Sequence, residues 1–373
     1  MIKKFKKKIL ITNFKFIIFK EMKNKIIFKI KILNSFLIFS FVIEIIKRPK
    51  KKKVGVISIR HEVNIGNNLL KYAMYIKLSE MGFDAYIIGT HWMNSNISFI
   101  KQKTNLKIIK YNFKEIKKRE FDILMVNSDQ TWRNFDNYFY DYAFLKFAYK
   151  WKIKKFIYGA SLGYDYWTLT KQDEKIAKIL LKNFNGISVR EKGSIKLIEQ
   201  HLGIKPLLVL DPTLLIDKKY YLDLINNYKS NISVKNEYIF TYSFVYIKKM
   251  SNFLEKARKA LNFKVYDYYL NNQSKIEDFI YGIMNCKAVV TSSYHGTIFA
   301  IIFNKPFISF LYKNSPKERI LSLGKLLGFE NRIFEYNQSP SIHFLTTPLK
   351  INYFLLNSLK NKSINFLKQN LGA

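Results

Sequence analysis

VGVISIRHEVNIGNNLLKYAMYIKLSEMGFDAYIIG, residues Val54–Gly89, reads as one strand–helix–strand unit. Val54 to Ile59 is a short apolar run of the kind needed by a strand buried on both faces. A polar turn follows from Arg60 to Gly66. Leu69, Leu70, Ala73, Ile76, Leu78 and Met81 then recur at helical spacing until Gly82 stops the helix. Ala85–Gly89 is the next strand. The pattern continues outward, with strands expected at Ile123–Val126, Phe156–Ala160 and Gly186–Val189 and helices at Asp173–Lys182 and Ser194–His201. Strands alternating with helices predict a doubly wound parallel sheet.

Near Asn226–Asn236 the chain turns polar, and a second series begins. Strands are expected at Tyr238–Phe244, Phe263–Tyr269, Ala288–Thr291, Pro306–Phe310 and Arg332–Tyr336. Helices are expected at Lys248–Leu261, Ile276–Asn285, Thr297–Phe303 and Lys317–Leu327. The fold class is therefore α/β, with two Rossmann-like domains facing across a cleft. The expected division is an extension at 1–51, a first domain at 52–230, and a second at 231–373 that ends in a terminal helix. A length of 373 residues agrees, since single cores stop growing near ~250–300 residues. Tandem domains of this kind place a ligand between the carboxyl ends of their strands.

The net charge is +37, from 64 Lys and Arg against 27 Asp and Glu. Only 8 of those 64 cations are Arg. Residues 1–53 hold 17 basic and 2 acidic residues, a net of +15, and the rest is dispersed Lys. The heavy use of Lys, Ile, Asn, Phe and Tyr matches A/T-rich codons. A nucleic-acid reader would use more Arg, whose planar fork grips phosphate and guanine. No nucleic-acid partner is expected, and no binding module is visible. The longest uncharged run of the extension, Ile32–Ile43, is too short to span a bilayer. Apolar bulk beside Lys47–Lys53 suits peripheral contact with an anionic membrane; the competing account is an upstream extension without a role. The single cysteine, Cys286, excludes an internal disulfide and a cysteine-based zinc site. The histidines have no ligand spacing, and neither GxGxxG nor GxxxxGK[ST] occurs, so no metal and no cofactor are expected.

Four strand ends carry the candidate chemistry. Thr291-Ser292-Ser293-Tyr294-His295-Gly296-Thr297 follows an apolar strand and opens a helix. Ser292, Ser293 and Thr297 are placed to bind an anion at the helix start, and His295 is a titratable acid or base. Arg190 ends another strand, where a guanidinium suits a carboxylate or phosphate, or a salt bridge to a neighbour. Asn127-Ser128-Asp129-Gln130 follows a third strand. Ser128 is a candidate binding residue there, and Asp129 can take a proton or cap a helix. Asn64 and Gly66 lie in the first turn, where glycine permits close approach. Asp211-Pro212-Thr213 reads as a turn.

Taken in order, Asn64-Ile65-Gly66-Asn67, Asn127-Ser128-Asp129-Gln130-Thr131-Trp132, Tyr158-Gly159-Ala160-Ser161-Leu162-Gly163, Ser188-Val189-Arg190-Glu191, Asp211-Pro212-Thr213-Leu214-Leu215, Thr291–Thr297 and Lys305-Pro306-Phe307 resemble the polysaccharide pyruvyl transferase family. The resemblance runs from about Lys52 to the C-terminus. It implies a GT-B-like fold and transfer of a pyruvyl group from phosphoenolpyruvate to a pair of sugar hydroxyls, forming a cyclic ketal in surface-polysaccharide synthesis. On that resemblance Arg190 grips the donor's carboxylate or phosphate. His295 sits beside the phosphate or acts as general acid, and Asp129 serves the acceptor side or the base. The partners would be phosphoenolpyruvate and a lipid-linked or nucleotide-linked sugar, in the cytoplasm at the inner face of the membrane. Ser293 stands where some members carry Arg, which leaves Lys305 or Lys313 to supply that charge. A glycosyltransferase with a nucleotide-sugar donor is the alternative, since the same cleft serves both.

Overall fold

The computed structural model describes residues 10–11, 14–22, 25–31, 38–44, 51–58, 64–89, 95–110, 113–127, 129–132, 139–230, 232, 237–243, 245, 247–269 and 275–372. It divides into two compact units, Met1–Lys51 and Lys52–Ala373. In the first, β1 (Leu10–Ile11), β2 (Phe14–Met22), β3 (Lys25–Lys31) and β4 (Ile38–Glu44) form an antiparallel sheet in chain order. Half of the uncharged run expected there, residues 32–37, and most of its basic tail, residues 47–50, lie outside the described residues. Among the described residues, no helix is long and apolar enough to cross a membrane.

The second unit holds two sheets. The first comprises β5 (Lys53–Ile57), β6 (Asp84–Gly89), β7 (Ile108–Lys110), β8 (Ile123–Val126), β9 (Lys154–Ala160), β10 (Gly186–Val189) and β11 (Leu207–Leu208). Its order is β11-β10-β9-β8-β5-β6-β7, and every pairing is parallel. The other comprises β12 (Tyr238–Ser243), β13 (Lys264–Tyr269), β14 (Ala288–Thr291), β15 (Phe307–Leu311) and β16 (Ile333–Glu335), ordered β13-β12-β14-β15-β16, again all parallel. Helices cover both faces, so all four residues of β8 and all four of β14 are buried. Strand order reverses between β5 and β8 in one sheet and between β12 and β14 in the other. A crevice opens at such a switch point beyond the carboxyl ends of the strands.

Helix starts differ from the sequence expectation for a local reason. The helix Ile65–Glu80 begins four residues earlier than its apolar spacing, because Asn64 Oδ1 accepts from the Asn67 N–H at 3.2 Å. The helix Tyr294–Ile302 likewise starts at Tyr294, capped by Ser293. Capping therefore draws His295 and Gly66 into first helical turns. Tyr221 joins the two halves, its ring 6.2 Å from Tyr72 and 4.9 Å from Phe299. The last helix, Tyr353–Leu371, returns to the first sheet. Phe366 packs on Phe156 and Tyr158, and Ser363 Oγ accepts from the buried Leu210 N–H at 2.9 Å.

Candidate active site

His295 stands in the first turn after β14, 2% exposed. Its ring rests directly on Gly66 of the opposing helix: a methyl group added at Gly66 would stand 2.1 Å from His295 Nδ1. Gly66 is thus required by close approach of a ring, not by turn conformation. His295 Nε2 lies 3.8 Å from Asp211 Oδ2, beyond hydrogen-bond reach, and has no hydrogen-bond partner among the described residues. Burial pushes the imidazole below its ordinary value. Asp211 and Asp129 draw it back up, and Arg190 and Arg319 oppose them. The net effect favours the neutral form of His295.

Around it lies a buried ion cluster. Arg190 Nη1 donates to Asp211 Oδ2, and Arg190 Nη2 donates to Asp129 Oδ1. Arg319 Nη1 donates to both Asp129 oxygens, at 2.7 and 2.6 Å. Both guanidiniums also face the Tyr294 ring, 5.5 Å and 5.0 Å from its centre. Burial alone would raise the Asp129 carboxyl, but Arg319 and Arg190 hold it well below the usual carboxylate range. Burial lowers the Arg190 guanidinium, and Asp211 and Asp129 more than reverse this. Asp211 is doubly used, since Oδ1 accepts from the Thr213 N–H at 2.9 Å and from its hydroxyl at 2.6 Å. Glu191, fully buried, accepts from Ser194 Oγ at 3.0 Å; burial raises its carboxyl despite Arg190.

Two guanidiniums thus face two carboxylates in a medium where unpaired charge is very costly. Three buried nitrogens of the cluster remain without a partner among the described residues: Arg190 Nε, Arg319 Nε and His295 Nε2. Buried polar atoms are nearly always satisfied, so these orphans are the feature an anionic ligand would complete.

The expected residues are brought together unevenly. Asn64, Gly66, Asp129, Arg190, Ser292, Ser293, His295 and Thr297 all sit at carboxyl ends of strands or just beyond. Ser128 lies outside the described residues. Ser293 Oγ accepts from the Gly296 N–H at 3.4 Å, and Thr297 Oγ1 meets Ser309 Oγ at 2.7 Å, so both are engaged in holding the helix. Ser292 Oγ pairs with Ser243 Oγ at the ends of β14 and β12. Lys305 lies on the opposite edge, its Nζ donating to Cys286 O at 2.9 Å. The second guanidinium comes instead from Arg319, in the first turn of the helix Glu318–Leu327. Sequence reading passed over it. Its rarity, as one of 8 arginines, was the available signal.

Two adjoining cavities open at the rim. One, about 640 Å³, lies between Tyr164–Tyr166 beyond β9 and Tyr312–Lys317 beyond β15. The other, about 430 Å³, lies beyond β12 and β16 between Val245, Lys248 and Lys249; Tyr312, Lys313 and Tyr336 line both. Tyr166 is 56% and Tyr336 41% exposed, so flat rings are presented to solvent beside lysines.

A family model described as polysaccharide pyruvyl transferase matches residues 64–314, more than half of the chain; Arg319 lies just beyond the match. No curated protein matches the sequence. Among solved structures, the chain is similar to the UDP-GlcNAc 2-epimerase of Neisseria meningitidis bound to UDP-GlcNAc, with TM-score 0.55 and 11% identity over 86% of this chain and 100% of that one. It is also similar to S. aureus MnaA with UDP, with TM-score 0.51 and 13% identity over 86% of this chain and 97% of that one. The UDP-GlcNAc 2-epimerase of Methanocaldococcus jannaschii follows at TM-score 0.50 and 12% identity, over 79% and 90%. At such identities these likenesses show the fold alone, the two-domain GT-B arrangement expected from the sequence.

Proposed function

The chain belongs to the polysaccharide pyruvyl transferase family, and on that premise we propose that it transfers a pyruvyl group from phosphoenolpyruvate to two hydroxyls of one sugar, forming a cyclic ketal in surface-polysaccharide synthesis. The observation that carries this reading is the unpartnered Nε2 of buried His295 beside a paired-arginine cluster.

The chemistry needs a proton on the methylene carbon of the enol, a bond from one sugar oxygen to the adjacent carbon, loss of phosphate, and a bond from the second oxygen. Two hydroxyl protons are released; one ends on the new methyl group and the other leaves with phosphate. His295, neutral and desolvated, is the proposed base that takes a hydroxyl proton and, once charged, returns it as an acid. Asp129 is a weak base, because two guanidiniums stabilise its charged form. Its proposed part is to hold Arg190 and Arg319 in place. The orphan Nε–H groups of those arginines would meet the donor's carboxylate and phosphate, where negative charge grows as phosphate leaves. Asn64, Gly66, Ser128, Ser292, Ser293 and Thr297 would shape the pocket around the reacting carbons.

The rim cavities are the proposed acceptor side, where tyrosine faces stack on sugar rings and lysines meet the diphosphate of a lipid-linked or nucleotide-linked sugar. The proposed domains are 52–230 and 231–373, with 1–51 contacting the cytoplasmic face of the membrane. A nucleotide-sugar glycosyltransferase is the second reading, favoured only by the tyrosines and lysines beyond β12, β15 and β16. Incubation with phosphoenolpyruvate and lipid- or nucleotide-linked sugars separates the two. Release of inorganic phosphate with a ketal on the sugar is expected, and no phosphate from any acceptor overturns the proposal.

A further inference from the structure

All strands of the first sheet are parallel, so their amino ends share one edge, opposite the catalytic cluster. Five neighbouring strands, β11, β10, β9, β8 and β5, are entered there through basic segments. Lys205 precedes β11 and Lys182 precedes β10; Lys150 and Lys152 lead to Lys154 at the start of β9. Lys117, Lys118 and Arg119 precede β8, and Lys52 precedes β5. All nine are exposed, and the acids of the same segments are exposed Asp122 and half-buried Glu120.

These segments are joined into one surface. Asn183 Nδ2 donates to Tyr149 O at 3.2 Å, linking the approaches to β10 and β9. The Asp122 N–H donates to Lys53 O at 3.0 Å, linking those of β8 and β5. Buried Lys155 pins the turn before β9 by donating to Ala148 O and Trp151 O, at 2.9 and 2.8 Å. Tyr149, 36% exposed, and half-buried Trp151 stand among the lysines.

A general excess of lysine does not explain this edge. At the carboxyl ends of β8, β9 and β10, the described residues up to and including the next helix start include two exposed cations, Lys171 and Lys192. The same three strands therefore carry seven exposed cations at one end and two at the other.

We infer that this edge is a docking surface for an anionic lipid bilayer, distinct from any contact made by residues 1–51. Lysine heads meet lipid phosphates while Tyr149 and Trp151 sit at headgroup level, where rings with one polar atom are favoured. A strand of five residues spans about 17 Å, so docking leaves the carboxyl-end crevice facing away from the lipid and open. The inference does not depend on the reaction catalysed.

The test is flotation of the full chain with vesicles of phosphatidylcholine alone or mixed with phosphatidylglycerol. One variant carries Lys117→Gln, Lys118→Gln, Lys150→Gln, Lys152→Gln and Lys154→Gln. A charge-matched control carries Lys256→Gln, Lys259→Gln, Lys264→Gln, Lys287→Gln and Lys362→Gln, all exposed elsewhere. Each lysine near an anionic surface strengthens binding about fivefold, so the edge variant should lose at least about a hundredfold in partition while the control loses far less. Salt should weaken the wild-type binding, and neutral vesicles should not bind. Equal losses in the two variants, no loss in the edge variant, or equal binding to neutral vesicles overturns the inference. Tighter binding of single-stranded RNA than of the vesicles, dependent on the same five lysines, assigns the edge to nucleic acid and also overturns it. Thermal melting of both variants checks that they fold.

Discussion

Gly66→Ala tests the seat of His295, the proposed base, directly. The new methyl carbon would stand 2.1 Å from His295 Nδ1, 2.3 Å from Cγ and 2.7 Å from Cβ. Ordinary carbon contacts lie near 3.5 Å, so the imidazole must retreat by about 1.4 Å. Its Cβ is also too close, so rotation about the side chain cannot absorb the clash. A displacement of about 1 Å in a reacting group costs on the order of a hundredfold in rate. Stability should change much less. Overpacking costs about 1–3 kcal/mol, and alanine's helix preference over glycine returns up to about 1 kcal/mol. The assay is kcat/KM for phosphate release, with thermal melting alongside. Gly282→Ala is the control, since its methyl would meet Phe240 at 2.2 Å in the core of the second sheet, and the three nearest atoms all belong to that ring. The control should melt lower yet keep kcat/KM within about threefold. Gly66→Ala with kcat/KM within about threefold of wild type would refute the role given to His295.

Three further variants have expected outcomes. Arg319→Lys should raise the KM for phosphoenolpyruvate about tenfold or more, because an ammonium engaged by Asp129 has no second nitrogen to replace the unpartnered Nε–H proposed to meet the donor; an unchanged KM removes Arg319 from the donor pocket. Asp211→Asn removes a group that raises the His295 imidazole, so the acid limb of the kcat/KM profile should move to lower pH; a shift upward contradicts His295 as the base. The same variant strands part of Arg190 and should lose about 3–5 kcal/mol of stability, read by denaturant unfolding. Burial keeps native His295 neutral while the unfolded chain takes up a proton below about pH 6.5. Stability contributed this way is complete above that pH and is lost as pH falls, so His295→Gln should show a smaller drop in Tm between about pH 7.5 and 5.5; an equal drop refutes it.

The sequence by itself determined the α/β series. Apolar runs such as Ile123–Val126 and Ala288–Val290 have no polar face and can only be central strands of covered parallel sheets. It also placed His295, Arg190 and Asp129 at strand ends, because a polar cluster directly after such a run must emerge at a carboxyl edge. Both are local properties of the chain. The tertiary structure decided which strand ends meet. Arg319 reaches Asp129 across 190 positions, and His295 lies on Gly66 from a different sheet. No spacing rule encodes either contact, since each depends on how the two sheets dock. Docking also decides charge. Arg190 reads from the sequence as either an anion grip or a salt bridge to a neighbour, and only the fold shows it buried between Asp129 and Asp211, with partners before any ligand arrives. What remains for a ligand is the set of unpaired nitrogens, and only the folded arrangement could single them out.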